Sequence, residues 1–138
     1  MNHLAVIDTN VIVSAFISKN RSTPPSLIVR EILGGRITPV INDSILDEYK
    51  EVLLRPKFHL IKEDVDSFIA IIKHYGYSVE PTPIEEKYSD LDDAVFFETA
   101  VSLRDARCIV ITGNKRHFPD KEFILTPSEM VSILDNSK

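Results

Sequence analysis

The chain alternates short, continuous apolar runs with longer stretches in which apolar residues recur every three or four positions. Leu4 to Ile7, Ile37 to Ile41 and Cys108 to Thr112 (CIVIT) are apolar with little polar interruption, the pattern of strands buried on both faces of a parallel sheet. Tyr77 to Glu80 and Phe123 to Leu125 are shorter strand candidates. Helical spacing marks Val11, Ile12, Ala15 and Phe16, then Pro25 to Leu33, then a segment running from the caps Asn42, Asp43 and Ser44 to about Arg55. Further helices are predicted over Lys62 to His74, Asp90 to Leu103 and Ser128 to Leu134. Their boundaries carry ordinary signals: Thr9 or Asn10 as a cap, Thr23 before two prolines, Gly34-Gly35 and Gly76 as stops, Pro56 as a breaker and Thr126-Pro127 as a start. Lys19 to Pro25 and Pro81 to Tyr88 read as loops. The order β-α-α-β-α-α-β-α-β-β-α predicts an α/β fold with a mostly parallel sheet.

Composition narrows this picture without redirecting it. With 138 residues and 43% hydrophobic positions, one domain over residues 1–138 with a sizeable core is expected, and no repeat or linker divides it. A net charge of −5 argues against a general nucleic-acid coat, yet is compatible with an enzyme whose metal-binding carboxylates make the balance acidic. Cys108 is the single cysteine, so no intrachain disulfide forms. The N-terminus lacks a signal-peptide pattern and the apolar runs are too short to span a bilayer, so a soluble, cytoplasmic protein with no membrane partner is the expectation.

The candidate chemistry lies in acids placed against apolar pattern. Asp8 follows the first buried run directly, where the carboxyl end of a parallel strand presents ligand-binding groups. An ordinary helix cap is the plain alternative for it. Glu48 flanks the apolar stripe Ile45, Leu46, Tyr49, Val52 and Leu53, whereas Asp47 and Glu51 face away. A surface carboxylate is the plain alternative there. In Ser89 to Ala100, Asp93 shares a face with Phe96, Phe97 and Ala100, while Asp90 and Asp92 have an ordinary explanation as caps or dipole partners. Thr112, Gly113 and Asn114 follow CIVIT at a second strand end, as a polar site or a plain turn. Lys115, Arg116 and His117 next to them are candidates for phosphate contacts or a solvated basic turn. Several hard oxygen ligands converging on one cleft suit Mg²⁺ or Mn²⁺ and metal-assisted phosphodiester hydrolysis. His3, His59, His74 and His117 show no metal-ligand spacing, and no glycine-rich phosphate loop or G-x-S-x-G is present.

These residues, taken in order, resemble the PIN-domain nucleases, and in particular the VapC-like toxins of toxin–antitoxin systems. VIDTNVIVSAF resembles the opening strand with its Asp-Thr-Asn signature. NDSILDEYKEVLLRPKF resembles the segment of the second acid, ending in Arg-Pro-Lys-Phe. DLDDAVFFETAVSLRDARCIVITGNKRHF resembles the third acid and its helix, followed by a strand and a Thr-Gly-Asn turn. The resemblance implies a PIN-like three-layer α/β/α fold with a five-stranded parallel sheet. It implies Mg²⁺- or Mn²⁺-dependent cleavage of RNA, a small antitoxin protein as partner, and a homodimer. By the same resemblance Asp8 is the central metal ligand, Glu48 the second acid and Asp93 the third, with Asp92 as its alternative or companion. Asn10 would orient Asp8 or a water, and Thr112 with Asn114 would shape the phosphate side. Many relatives carry a fourth acid where this chain has Asn114 or His117, and Asp120, close by in sequence, is the candidate to replace it. That departure opens a second reading, a PIN fold that only binds RNA or a protein. A third, an Asp-nucleophile phosphatase of the haloacid dehalogenase type, normally needs a second Asp where this chain has Asn10.

Overall fold

A computed structural model describes residues 2–80 and 94–136. In chain order it forms β1 (His3–Ile7), α1 (Thr9–Ile17), α2 (Pro24–Leu33), β2 (Ile37–Ile41), α3 (Asp43–Leu53), α4 (Lys62–Tyr75) and β3 (Tyr77–Ser78). These are followed by α5 (Ala94–Ser102), β4 (Ile109–Ile111), β5 (Ile124–Leu125) and α6 (Pro127–Asn136). The sheet order is β3-β2-β1-β4-β5 and every pairing is parallel, so the expected mostly parallel sheet is wholly parallel among the described residues. Each parallel crossover needs a helix to carry the chain back, and the helices thereby flank the sheet.

The strand order places the site. The chain builds outward from β1 through β2 to β3, then returns to the other side of β1 for β4 and β5. The order therefore reverses between β1 and β4, and a crevice opens there beyond the strand ends. Ile7 is paired with Ile111, and the Asp8 N–H donates to the Ile111 carbonyl at 2.9 Å. Asp8 and Thr112 are thus the first residues past that switch point on its two sides. Ala5, Val6 and Ile7 are at most 1% exposed, which is why this strand reads as an unbroken apolar run.

Several boundaries differ from the sequence reading for local reasons. The first helix starts at Thr9 because Asp8, and not Thr9 or Asn10, is the cap: its carboxylate accepts from the Thr9 N–H at 2.9 Å. The third helix stops at Leu53, short of Arg55. Pro56 holds Arg55 in an extended conformation (ψ 134°) and starts a 3₁₀ turn, Pro56–Phe58. The third strand is only two residues long and lies at the sheet edge. It follows a tight turn at Gly76, where a Cβ would come within 2.8 Å of the Ile72 carbonyl and 2.9 Å of Ile41 Cδ1. The C-terminal helix carries a capping box, with Thr126 N–H donating to Glu129 Oε1 (2.8 Å) and Glu129 N–H to Thr126 Oγ1 (3.1 Å). The predicted start of the fifth helix at Asp90 lies outside the described residues. Among those described, no helix is long and apolar enough to cross a membrane.

Cys108 packs in the core with no exposed surface, and burial pushes its thiol up to about 12. At neutral pH it is therefore protonated and shielded. The folded protein is expected to resist iodoacetamide, with stoichiometric labelling only in denaturant; fast labelling of the native protein would contradict the packing.

Candidate active site

Asp8 caps α1 and lies at the end of the central strand, only 5% exposed. A buried carboxylate is unfavourable unless donors reach it, and here each oxygen has one among the described residues. One oxygen accepts from the Thr9 N–H, and the other accepts from the Thr112 hydroxyl at 2.7 Å. The Thr112 oxygen itself accepts from the Asn114 N–H at 3.0 Å, which directs the hydroxyl proton toward Asp8. The cap explanation and the site explanation for Asp8 are therefore both true of one side chain. Each carboxylate oxygen has capacity for more than one partner, and these two bonds, one to each oxygen, fix its orientation.

Glu48 is half-buried on α3 and faces the same cleft. Thr9 joins the two acids: its N–H donates to Asp8 and its hydroxyl to Glu48 Oε2 at 3.1 Å. The fully buried Tyr49 fixes α3 at this point by donating its hydroxyl to the carbonyl of Ile7, the residue before Asp8. Burial, helped by the negative charges of Asp8 and Glu48, raises the Tyr49 phenol far above its ordinary range, so it stays a donor. Asn10 is exposed at the rim, and its side-chain carbonyl accepts from the Gly113 N–H at 3.1 Å. This bond clasps the turn after β1 to the turn after β4.

The resulting cleft has a volume of about 380 Å³ and brings together Asp8, Asn10, Glu48, Asn114 and His117. Thr112 stands behind Asp8 with no exposed surface. The Asn114 side chain contacts the His117 ring and accepts from Arg116 Nε at 3.3 Å. Lys115 turns away and pairs with Glu129 at 3.2 Å. Asp120 is exposed and lines a separate hollow with Lys115, Arg116 and Lys121, so it does not supply a fourth acid to the cleft. Asp92 and Asp93 lie outside the described residues, among which no three His, Cys, Asp or Glu side chains close on a metal-sized point.

Sequence reasoning did not anticipate four contributors. Thr9 was legible only as a cap and Tyr49 only as part of an apolar stripe. Arg55 and Lys57 also line the cleft. A signal for Arg55 exists, because Glu48, Val52 and Arg55 are spaced i, i+4 and i+7 along and just past α3.

A parallel α/β sheet with a buried aspartate at its switch point, faced by a glutamate from a neighbouring helix, defines a carboxylate-lined crevice of the kind that serves phosphate chemistry. The PIN-domain family model matches residues 4–116, and the chain belongs to the PIN-domain family. PIN domains are generally nucleases that use divalent metals. No curated protein sequence matches the chain.

Proposed function

We propose that this chain is a divalent-metal-dependent endoribonuclease and the toxin of a toxin–antitoxin pair. The observation that carries the nuclease reading is the buried Asp8 carboxylate, oriented by Thr9 and Thr112 and joined through Thr9 to Glu48. Oxygen donors of this kind fit Mg²⁺ or Mn²⁺ and not a soft, thiolate- or imidazole-seeking ion. Asp8 and Glu48 would hold the ion, with Asp93 or Asp92 as the third acid. When bound, such an ion makes a nucleophile from water near neutral pH and stabilises charge on the leaving oxygen.

The chain's own residues supply position and polarity. The Asn114–Thr112–Asp8 relay fixes one acid, and Thr9 with Tyr49 fixes the other relative to it. The N-terminus of α1, ending at Asp8, directs the positive end of its helix dipole toward an incoming phosphate. Asn10 holds the two strand-end turns together, so the crevice keeps its width. The toxin role, a small antitoxin protein as partner and a homodimer rest on the resemblance of the ordered motifs.

A second reading has one observation in its favour: the cleft carries Asn114 and His117 where many relatives have a fourth acid. A module that only binds RNA would then result. One experiment separates the two. Purified protein is incubated with single-stranded RNA in Mg²⁺, Mn²⁺ or EDTA, alongside Glu48→Gln. Cleavage that needs the metal and falls at least roughly a hundredfold in the variant, about 2.7 kcal/mol of transition-state stabilisation, supports the enzyme. Folded protein that binds the RNA but leaves it intact with either metal supports the module. Growth arrest on expression, relieved by a small protein encoded next to it, checks the toxin role.

A further inference from the structure

The Arg-Pro-Lys-Phe segment that ends the second motif has no task in the mechanism above, yet it forms one wall of the same cleft. Glu48 and Val52 share a face of α3, and just beyond its end Arg55, Lys57 and Phe58 continue that wall. The segment is a built turn. The Phe58 N–H donates to the Arg55 carbonyl at 3.0 Å, the His59 N–H donates to the Pro56 carbonyl at 3.1 Å, and His59 closes the turn in the left-handed conformation (φ 54°).

The wall has two chemistries side by side. Arg55 and Lys57 are exposed cations. Among the described residues Arg55 pairs with the exposed Glu51 at 3.1 Å, a weak contact that a phosphate can replace, and Lys57 has no ion pair. Val13, Val52 and the partly exposed Phe58 supply an apolar strip to the lining of the same cleft, with Lys57 Nζ 5.1 Å from the Phe58 ring centroid. Phosphate contacts use the cations and leave the strip bare, whereas a nucleobase next to that phosphate covers it. About 380 Å³ is room for a group the size of one nucleotide, and a base splayed out of a single strand can reach it.

We propose that the Arg55–Phe58 turn is a nucleotide subsite: Phe58 stacks on the base beside the cleaved bond, and Lys57 with Arg55 holds the adjoining phosphate. The inference rests on the nuclease reading and names the residues that grip the substrate for it. It is tested by fluorescence anisotropy with a labelled RNA oligomer, using full-length protein carrying Asp8→Asn so that the RNA stays intact. Phe58→Leu keeps apolar bulk but removes the ring face, and is expected to weaken binding about tenfold, the size of one base–aromatic stack. That loss should vanish on an oligomer made abasic at the stacked position. Lys57→Ala, at an exposed site that does not threaten folding, is expected to weaken binding severalfold and to reduce the salt slope by roughly 0.7. The abasic change should not alter its effect. If both variants bind like the parent, or if the Phe58→Leu loss is the same on every abasic oligomer, the subsite is overturned. Cleavage by the wild-type chain is scored separately: RNA cut normally with no effect in either variant removes the subsite alone. A chain that neither binds nor cuts RNA removes both.

Discussion

Asp8→Asn is expected to abolish cleavage, by roughly a thousandfold or more, while leaving the fold in place. The substitution keeps an oxygen to accept from the Thr9 N–H, and Asn caps helices about as well as Asp, so α1 keeps its start. What it removes is charge. The Thr112 hydroxyl loses an ionic acceptor, and the pair of carboxylates bridged by Thr9 is reduced to one. A thousandfold loss corresponds to about 4 kcal/mol of transition-state stabilisation. The melting temperature should move by no more than about 3 °C, equivalent to about 1 kcal/mol for a chain of this size. Calorimetric titration with Mn²⁺ should show binding to the wild type and little or none to the variant. Wild-type cleavage rates in Asp8→Asn would remove Asp8 from the mechanism, and unchanged Mn²⁺ binding would place the ion elsewhere.

Tyr49→Ala is expected to be the most damaging change to stability. The side chain is 1% exposed, packs 6.2 Å from the Phe96 ring centroid and ties α3 to the end of β1. Truncating a buried aromatic costs about 3–5 kcal/mol through lost packing and the cavity left behind, a large part of a typical domain's stability. Tyr49→Phe isolates the hydroxyl and is expected to cost about 1–2 kcal/mol, because it deprives the Ile7 carbonyl of a buried donor. Since Ile7 precedes Asp8 and Tyr49 follows Glu48, the Phe variant should also lower kcat while leaving KM for RNA nearly unchanged. Urea denaturation and steady-state kinetics on the two variants read these effects. A Phe variant as stable and active as wild type would show that packing alone sets the distance between the acids.

The extent to which this fold was legible follows from what each element depends on. β1, β2 and β4 are buried on both faces, so their burial is written as continuous apolar sequence. The helices are written in their caps: Thr23, Asn42 and Thr126 all act where their spacing predicts. β3 was predicted at twice its length because an exposed edge strand has no burial to mark its limits. The α3 terminus shifted by two residues because the proline constrains the residue before it, not only its own position.

Local pattern thus determined the strands, most helix boundaries and the placement of Asp8 just past a buried strand, because strand burial and helix capping act within a few residues. It also indicated that Glu48 belongs at the margin of an apolar stripe. The tertiary structure decided what those acids meet. Thr112 reaches Asp8 across 104 positions of sequence, Thr9 reaches Glu48 across 39, and Tyr49 reaches Ile7 across 42. Such contacts depend on the strand order and on the reversal between β1 and β4, which no local periodicity encodes. The same holds for Asp120, close to Asn114 in sequence and yet outside the cleft, because the turn after β4 directs it to another surface.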